Sequence, residues 1–142
     1  MAIDAIYQHS YQIRVYFEDT DTAGIVYYAN YLKFAERART EMLREHDLDH
    51  ARMMREHGLV FAVRKCVAEY HAPARLDDML TVRTRVEKVG GASVELTQDI
   101  YRSETKLCAL TVRLAMLNED GAPARIPPHL RDGMRGVAAG FV

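Results

Sequence analysis

Between Asn30 and His46 the apolar residues recur at steps of three and four, and from Leu59 to Leu117 they recur at every second position. One helical stripe followed by sustained alternation leaves few folds open, because each pattern needs a surface to bury its apolar side against. Tyr31, Phe34, Ala35, Ala38 and Met42 define the stripe, with Lys33, Glu36, Arg37 and Glu41 off it. Arg37 and Glu41 form an i,i+4 pair worth a few tenths of a kcal/mol at most. At ~1.5 Å per residue the helix is ~25 Å long, about the span of an eight-residue strand. The alternating runs predict strands over Leu59–Tyr70, Met79–Val89, Ser93–Arg102 and Leu107–Leu117. Gly90-Gly91 is a two-residue hairpin signal. Pro73 and Asp77-Asp78 mark a connection, and Asn118–Gly121 closes the last strand.

Ahead of the helix, Ile13, Val15 and Phe17 alternate with Gln12, Arg14, Tyr16 and Glu18, predicting a first strand over Tyr11–Glu18 after a lead-in of residues 1–9. Asp47–Gly58 is polar, with a short second helix stopped by Gly58. The tail, residues 118–142, carries Pro127-Pro128 before a short helix or coil. Short turns between consecutive strands imply antiparallel pairing. The expected fold is α+β, a five-stranded antiparallel sheet wrapped around one long central helix, in the order β-α-β-β-β-β.

At 142 residues the chain suits one domain, spanning 1–142. A net charge of −1 gives no bulk attraction to nucleic acid. Cys66 and Cys108 each sit in an apolar strand-like run and read as buried reduced thiols, with no CxxC spacing between them. No apolar run approaches the ~18 residues of a membrane span, and the first ten residues carry no secretion signal. These readings place the chain in the cytoplasm without membrane insertion.

Chemistry concentrates where the first strand meets the helix. Glu18, Asp19 and Asp21 fall within four residues, followed by Gly24, a residue that permits positive φ. Asn30 is the expected N-cap. An aspartate in water titrates near ~3.9, so in its ionised form it suits nucleophilic attack, and it becomes a general base when desolvated. Asp19 to Gly24 copies part of a calcium loop, but position five is Ala23 and position twelve is Asn30, where a bidentate glutamate is needed. His46 and His50 have zinc-protease spacing, yet Asp47 stands where that motif has glutamate. His57, His71 and His129 are isolated in sequence.

The run EDTDTAGIVYYANYLKFAERARTE over residues 18–41 resembles the active-site signature of hotdog-fold acyl-CoA thioesterases. FAVRK at 61–65 and EYHAPARLDDML at 69–80 extend the likeness. The chain resembles the 4-hydroxybenzoyl-CoA thioesterase family, and within it the acyl-CoA thioesterases associated with the Tol–Pal envelope system. The resemblance implies that Asp21, three residues before the glycine, is the catalytic aspartate and that Asp19 shapes the turn. It implies that the oxyanion donor is the backbone N–H of Tyr28, a position where many Tol–Pal-associated members carry histidine. Tyr27, Asn30, Phe34 and Phe61 would wall the acyl pocket.

The resemblance further implies a homodimer, or a dimer of dimers. In it the strand over Leu59–Tyr70 pairs with its copy, and Phe61, Val63 and Arg64 of one chain face Asp21 and Tyr28 of the other. The substrate would be a small to medium acyl-CoA or an acyl carrier protein thioester. No cofactor or metal is implied, because coenzyme A enters as part of the substrate. The hairpin that carries basic phosphate-binding residues in the hydroxybenzoyl branch reads Gly90-Gly91-Ala92 here, leaving Lys88 nearby and Arg64 and Lys65 as candidates or as plain exposed strand residues. Two rival readings stay open. A hotdog hydratase would need histidine five residues after its aspartate, where this chain has Val26. A non-catalytic acyl-CoA or acyl-carrier binding module would keep the pocket without the nucleophile.

Overall fold

The structure is a computed structural model that describes residues 8–139. Residues 1–7 of the expected lead-in lie outside the described residues, and His9 already belongs to the first strand. The strands are β1 (His9–Arg14), β2 (Val60–Tyr70), β3 (Met79–Val89), β4 (Ser93–Arg102) and β5 (Thr105–Leu117). The helices are α1 (Asn30–Glu45), α2 (His50–His57) and α3 (Pro128–Ala139). The strands form one antiparallel sheet in the order β1-β3-β4-β5-β2.

The alternating residues of the sheet make the core. Leu80, Val82 and Val86 of β3, Val94, Leu96 and Ile100 of β4, and Leu110, Val112, Leu114 and Met116 of β5 are buried. The α1 stripe packs over β3, β1 and β4, and Phe34, Ala38 and Met42 are fully buried. Phe34 is therefore core in this chain, not pocket wall. Leu43 and Arg39 join the buried face. The expected Arg37–Glu41 pair is replaced by Arg44 to Glu41 at 3.4 Å, and Glu36 accepts from the Thr40 hydroxyl at 2.9 Å. Both are surface pairings of small energy.

β1 is shorter than its alternation suggests. Val15 still pairs, donating to the Asp78 carbonyl at 2.9 Å, but Phe17 is 81% exposed. The cause is local. The Asp19 carboxylate accepts the Tyr16 N–H at 2.8 Å and closes a 3-10 turn over Phe17–Asp19. A short acidic side chain thus diverts backbone donors from the sheet.

Gly58 ends α2 in the left-handed region, at φ +64. The β3–β4 connection holds three residues, 90–92, and Gly90 and Gly91 are not in positive φ. Gly91 instead allows close approach, because its carbonyl accepts the Ile126 N–H and a Cβ there would lie 3.1 Å from the Arg125 guanidinium. The tail forms a 12-residue helix, α3, that packs on β3. It also brings His129 against His57, with ring centroids 4.9 Å apart, so these two histidines are not isolated in space. Cys108 is buried as expected, with its thiol pushed up to about 12 by burial, whereas Cys66 is exposed because α1 does not lie over β2. Among the described residues no helix is long and apolar enough to cross a membrane.

The sheet order carries a consequence for the site. β2 lies at the far edge beside β5, while β3 lies beside β1, so the chain must cross the sheet between Tyr70 and Met79. This connection passes the N-terminal end of α1 and is stitched to it. The Val26 N–H donates to the Ala74 carbonyl at 2.9 Å, and the Tyr31 hydroxyl accepts from the Ala74 N–H at 2.9 Å. Arg102 donates to the Pro73 carbonyl and to the Asp78 carboxylate, bracing the same loop from β4.

Candidate active site

Asp19 and Asp21 have different surroundings despite their spacing. Asp19 is 8% exposed and its atoms are committed. Its carboxylate takes the Tyr16 N–H, and its carbonyl accepts both the Tyr27 N–H at 3.0 Å and the Asn30 amide at 2.9 Å. Asp19 thus shapes the turn. Asp21 opens a closed loop in which its N–H donates to the Ile25 carbonyl at 2.9 Å and its carbonyl accepts from Gly24 at 3.0 Å. Gly24 stands at φ +78, which the reversal requires. The Asp21 side chain is exposed. Its Oδ1 accepts the Ala23 N–H at 2.8 Å, and its other carboxylate oxygen meets no donor among the described residues. Phe17, Thr20 and Leu76 line a cavity of about 580 Å³ with it.

The helix is entered differently from expectation. Ala29, not Asn30, is the N-cap residue; it has helical dihedrals and no side-chain cap. The Asn30 N–H donates to the Tyr27 carbonyl at 2.8 Å, so a tight turn leads directly into α1. Asn30 uses its amide to tie the helix start to Asp19, which leaves helix N–H groups uncapped. Among the described residues the Tyr28 N–H meets no acceptor. Its carbonyl accepts from the Tyr70 hydroxyl at 3.1 Å.

Tyr28 is 61% exposed and its ring contacts Tyr27 at 5.0 Å and Tyr70 at 6.1 Å. Tyr28, Tyr31, Tyr70 and Pro73 line a second groove of about 290 Å³. Burial pushes the Tyr31 hydroxyl up, offset in part by its bond to Ala74, and burial likewise raises Tyr70.

Asp21, Tyr27, Tyr28 and Asn30 therefore share one compact segment. Phe34 is buried behind it. Val63 and Arg64 are exposed and Phe61 is half-buried, at the end of β2 opposite Tyr70. Within one chain these three do not meet Asp21 or Tyr28. Two contributors were not apparent from residue patterns. Tyr70 and Tyr31 act through hydroxyls whose partners are distant in sequence. Arg39 did leave a trace, because it is a charge at stripe spacing, four residues after Ala35 and three before Met42.

Comparison with known proteins agrees with this architecture. The thioesterase superfamily model matches residues 23–109. An acyl-CoA thioester hydrolase YbgC of Escherichia coli O6:H1 is 50% identical over 95 residues, covering 67% of this chain and 70% of that protein. An acyl-CoA thioesterase YbgC of Haemophilus influenzae is 41% identical over 109 residues, covering 77% and 80%. The crystal structure of a probable thioesterase from Bartonella henselae superposes with a TM-score of 0.80 at 38% identity, over 84% of this chain and 99% of that one. With its five-stranded antiparallel sheet and long helix, the chain belongs to the thioesterase superfamily and is a thioester hydrolase of the hotdog fold.

Proposed function

We propose that this protein hydrolyses acyl-CoA thioesters, with Asp21 as nucleophile or general base and the Tyr28 N–H as oxyanion donor. The observation that carries this reading is the unpaired Tyr28 N–H at the start of a 16-residue helix, a few residues from an exposed, turn-held carboxylate. Negative charge develops on the carbonyl oxygen in the tetrahedral state. A prealigned N–H at the positive end of a helix stabilises it, an effect typically worth ~3 kcal/mol.

In the nucleophilic route the Asp21 carboxylate attacks the thioester carbonyl carbon, the C–S bond breaks and coenzyme A leaves as thiolate. Water then opens the mixed anhydride, releasing the acid and restoring the carboxylate. In the general-base route Asp21 takes a proton from water, which attacks directly. Single turnover in oxygen-18 water separates the two, because only the first places label in Asp21. In either route Asp21→Asn lowers kcat at least 100-fold with an unchanged Tm, and near-normal hydrolysis by that variant overturns the assignment.

Strand geometry supports a site shared between two copies. β2 is an edge strand, and its free N–H and C=O groups can pair with a second copy. Antiparallel pairing about the middle of β2 carries the Phe61–Arg64 end of one chain to the Tyr70 end of the other. Tyr70 holds Tyr28 at that end, so Phe61, Val63 and Arg64 of a second copy would complete the pocket. A monomer with full activity in sedimentation and turnover assays refutes this arrangement.

A further inference from the structure

We propose that Arg39 is the specificity residue of an acyl groove and that the groove takes an acyl chain ending in a carboxylate. The inference rests on the acyl-CoA hydrolase reading above and deepens it.

α1 and β2 run antiparallel, joined at one end by Tyr28, Tyr31 and Tyr70. Beyond the groove at that end, a second cavity follows down α1. Leu32, Ala35 and Arg39 face Val63 and Cys66 of β2 across a cavity of about 210 Å³ floored by Val112 of β5. Tyr28 and Arg39 are eleven residues apart, about 16 Å along a helix axis. Long side chains lean toward the helix N-terminus, so the guanidinium is closer to Tyr28 than its Cα is. This separation fits a medium-length chain whose carbonyl lies at the Tyr28 N–H.

The far end of the groove is cationic. Arg39 is only 9% exposed, yet none of the ion pairs among the described residues includes it. Among the described residues its one side-chain hydrogen bond runs from Nη1 to the neutral Gln98 amide oxygen at 3.3 Å. Gln98 is spent on holding α1, because its Nε2 donates to the Ala35 carbonyl at 2.8 Å and to the Thr84 hydroxyl at 3.0 Å. Of the two acids nearest in sequence, Glu41 pairs with Arg44, and Glu36, although near enough to act on Arg39 electrostatically, accepts from the Thr40 hydroxyl on the exposed face and forms no ion pair with it. A guanidinium stays charged in proteins, and a buried charge calls for an opposite one. The other groove walls are apolar, so the lining itself offers no counter-charge to Arg39, and a ligand can supply one. A terminal carboxylate matches the planar fork of the guanidinium in charge and shape.

The test measures binding by calorimetry of two non-hydrolysable thioether analogues, those of octanoyl-CoA and of the eight-carbon ω-carboxyacyl-CoA, to wild type and to Arg39→Met and Arg39→Lys. Wild type should bind the carboxylated analogue at least tenfold more tightly. Arg39→Met should invert that preference and Arg39→Lys should keep part of it. Equal binding of the two analogues by wild type, binding of neither, or an unchanged ratio in Arg39→Met overturns the inference. Dimer loss in Arg39→Met with the ratio unchanged overturns it too, by assigning Arg39 to a partner's carboxylate. Selective binding without turnover of the matching thioester would instead refute the hydrolase reading and leave this one standing.

Discussion

Tyr31→Phe removes one oxygen atom, and its effect can be worked out from the structure. The hydroxyl accepts the Ala74 N–H at 2.9 Å, Tyr31 is 3% exposed and Ala74 is fully buried. The variant keeps the ring contacts with Phe34 and Tyr70, so the change isolates one polar interaction. It leaves a buried N–H with no acceptor and little access to water, which costs about 1–3 kcal/mol. For a chain of this size that is a fall in Tm of about 3–9 °C. Thr40→Ala is the control, since it deletes an exposed hydroxyl bond to Glu36 and should change stability by less than about 0.5 kcal/mol. Ala74 also accepts from the Val26 N–H, so Tyr31→Phe loosens the segment between Asp21 and Tyr28. Catalytic efficiency should drop several-fold beyond what the unfolded fraction explains. Urea denaturation and steady-state thioester hydrolysis read the two effects. A Tm within 1 °C of wild type would refute the view that the crossing loop is anchored through this hydroxyl.

Phe34→Ala should cost about 3–5 kcal/mol in urea denaturation and lower the amount of folded protein without altering acyl preference, because Phe34 is fully buried core. Gly58→Ala should destabilise by about 1 kcal/mol or more, since φ is +64 and the new Cβ would meet the Glu119 side chain at 3.1 Å; an unchanged urea midpoint would contradict this. Asp78→Asn should lower Tm above about pH 5 and lose its effect in acid. Burial pushes the Asp78 carboxyl up, but the Arg75 N–H and the Arg102 guanidinium outweigh this and hold it below the usual carboxylate range. A folded-state value below the unfolded one stabilises above the unfolded value, near ~3.9, and that stability is lost as pH falls through the lowered value. A Tm gap between the two proteins that stays constant from pH 7 to pH 3 would refute it.

Burial on one face is a local pattern, and it was legible. Alternation alone locates β3 and β4 at their observed ends, because each residue's face depends only on its neighbours. The α1 stripe was readable for the same reason. Features set by distant residues were not. β1 stops at Arg14 because Asp19 captures the Tyr16 N–H, and nothing in the alternation of Val15 and Phe17 marks that. Gly90-Gly91 reads as a hairpin, yet Gly91 is required by the approach of Arg125 and Ile126 from the tail. Cys66 belongs to the same alternation as its buried neighbours in β5 but is exposed, since coverage depends on where α1 lies over the sheet. At the candidate site the resemblance points to Asp21 and Tyr28, while Tyr70 and Tyr31, whose bonds depend on the crossing loop, left no signal in the sequence.

Sheet order explains why the candidate site lies at an edge. α1 packs on β3, β1 and β4, and α2 meets one end of β2, so the middle of β2 around Val63 and Cys66 is left uncovered by α1. Residues paired across antiparallel strands share a face. Val63 and Cys66, paired with Leu114 and Val112, therefore point to the helix side of the sheet without being covered. That geometry leaves an apolar cavity ending at Arg39, in line with the groove at the uncapped start of α1. A chain selected only for stability would fill such a cavity or neutralise the arginine, because both uncovered apolar surface and an unpaired buried charge cost free energy. Keeping both is intelligible when a bound acyl chain covers the first and its terminal carboxylate meets the second. The same geometry leaves the edge of β2 free for a second copy, so the features that weaken the isolated chain are those that the proposed substrate and second copy would cover.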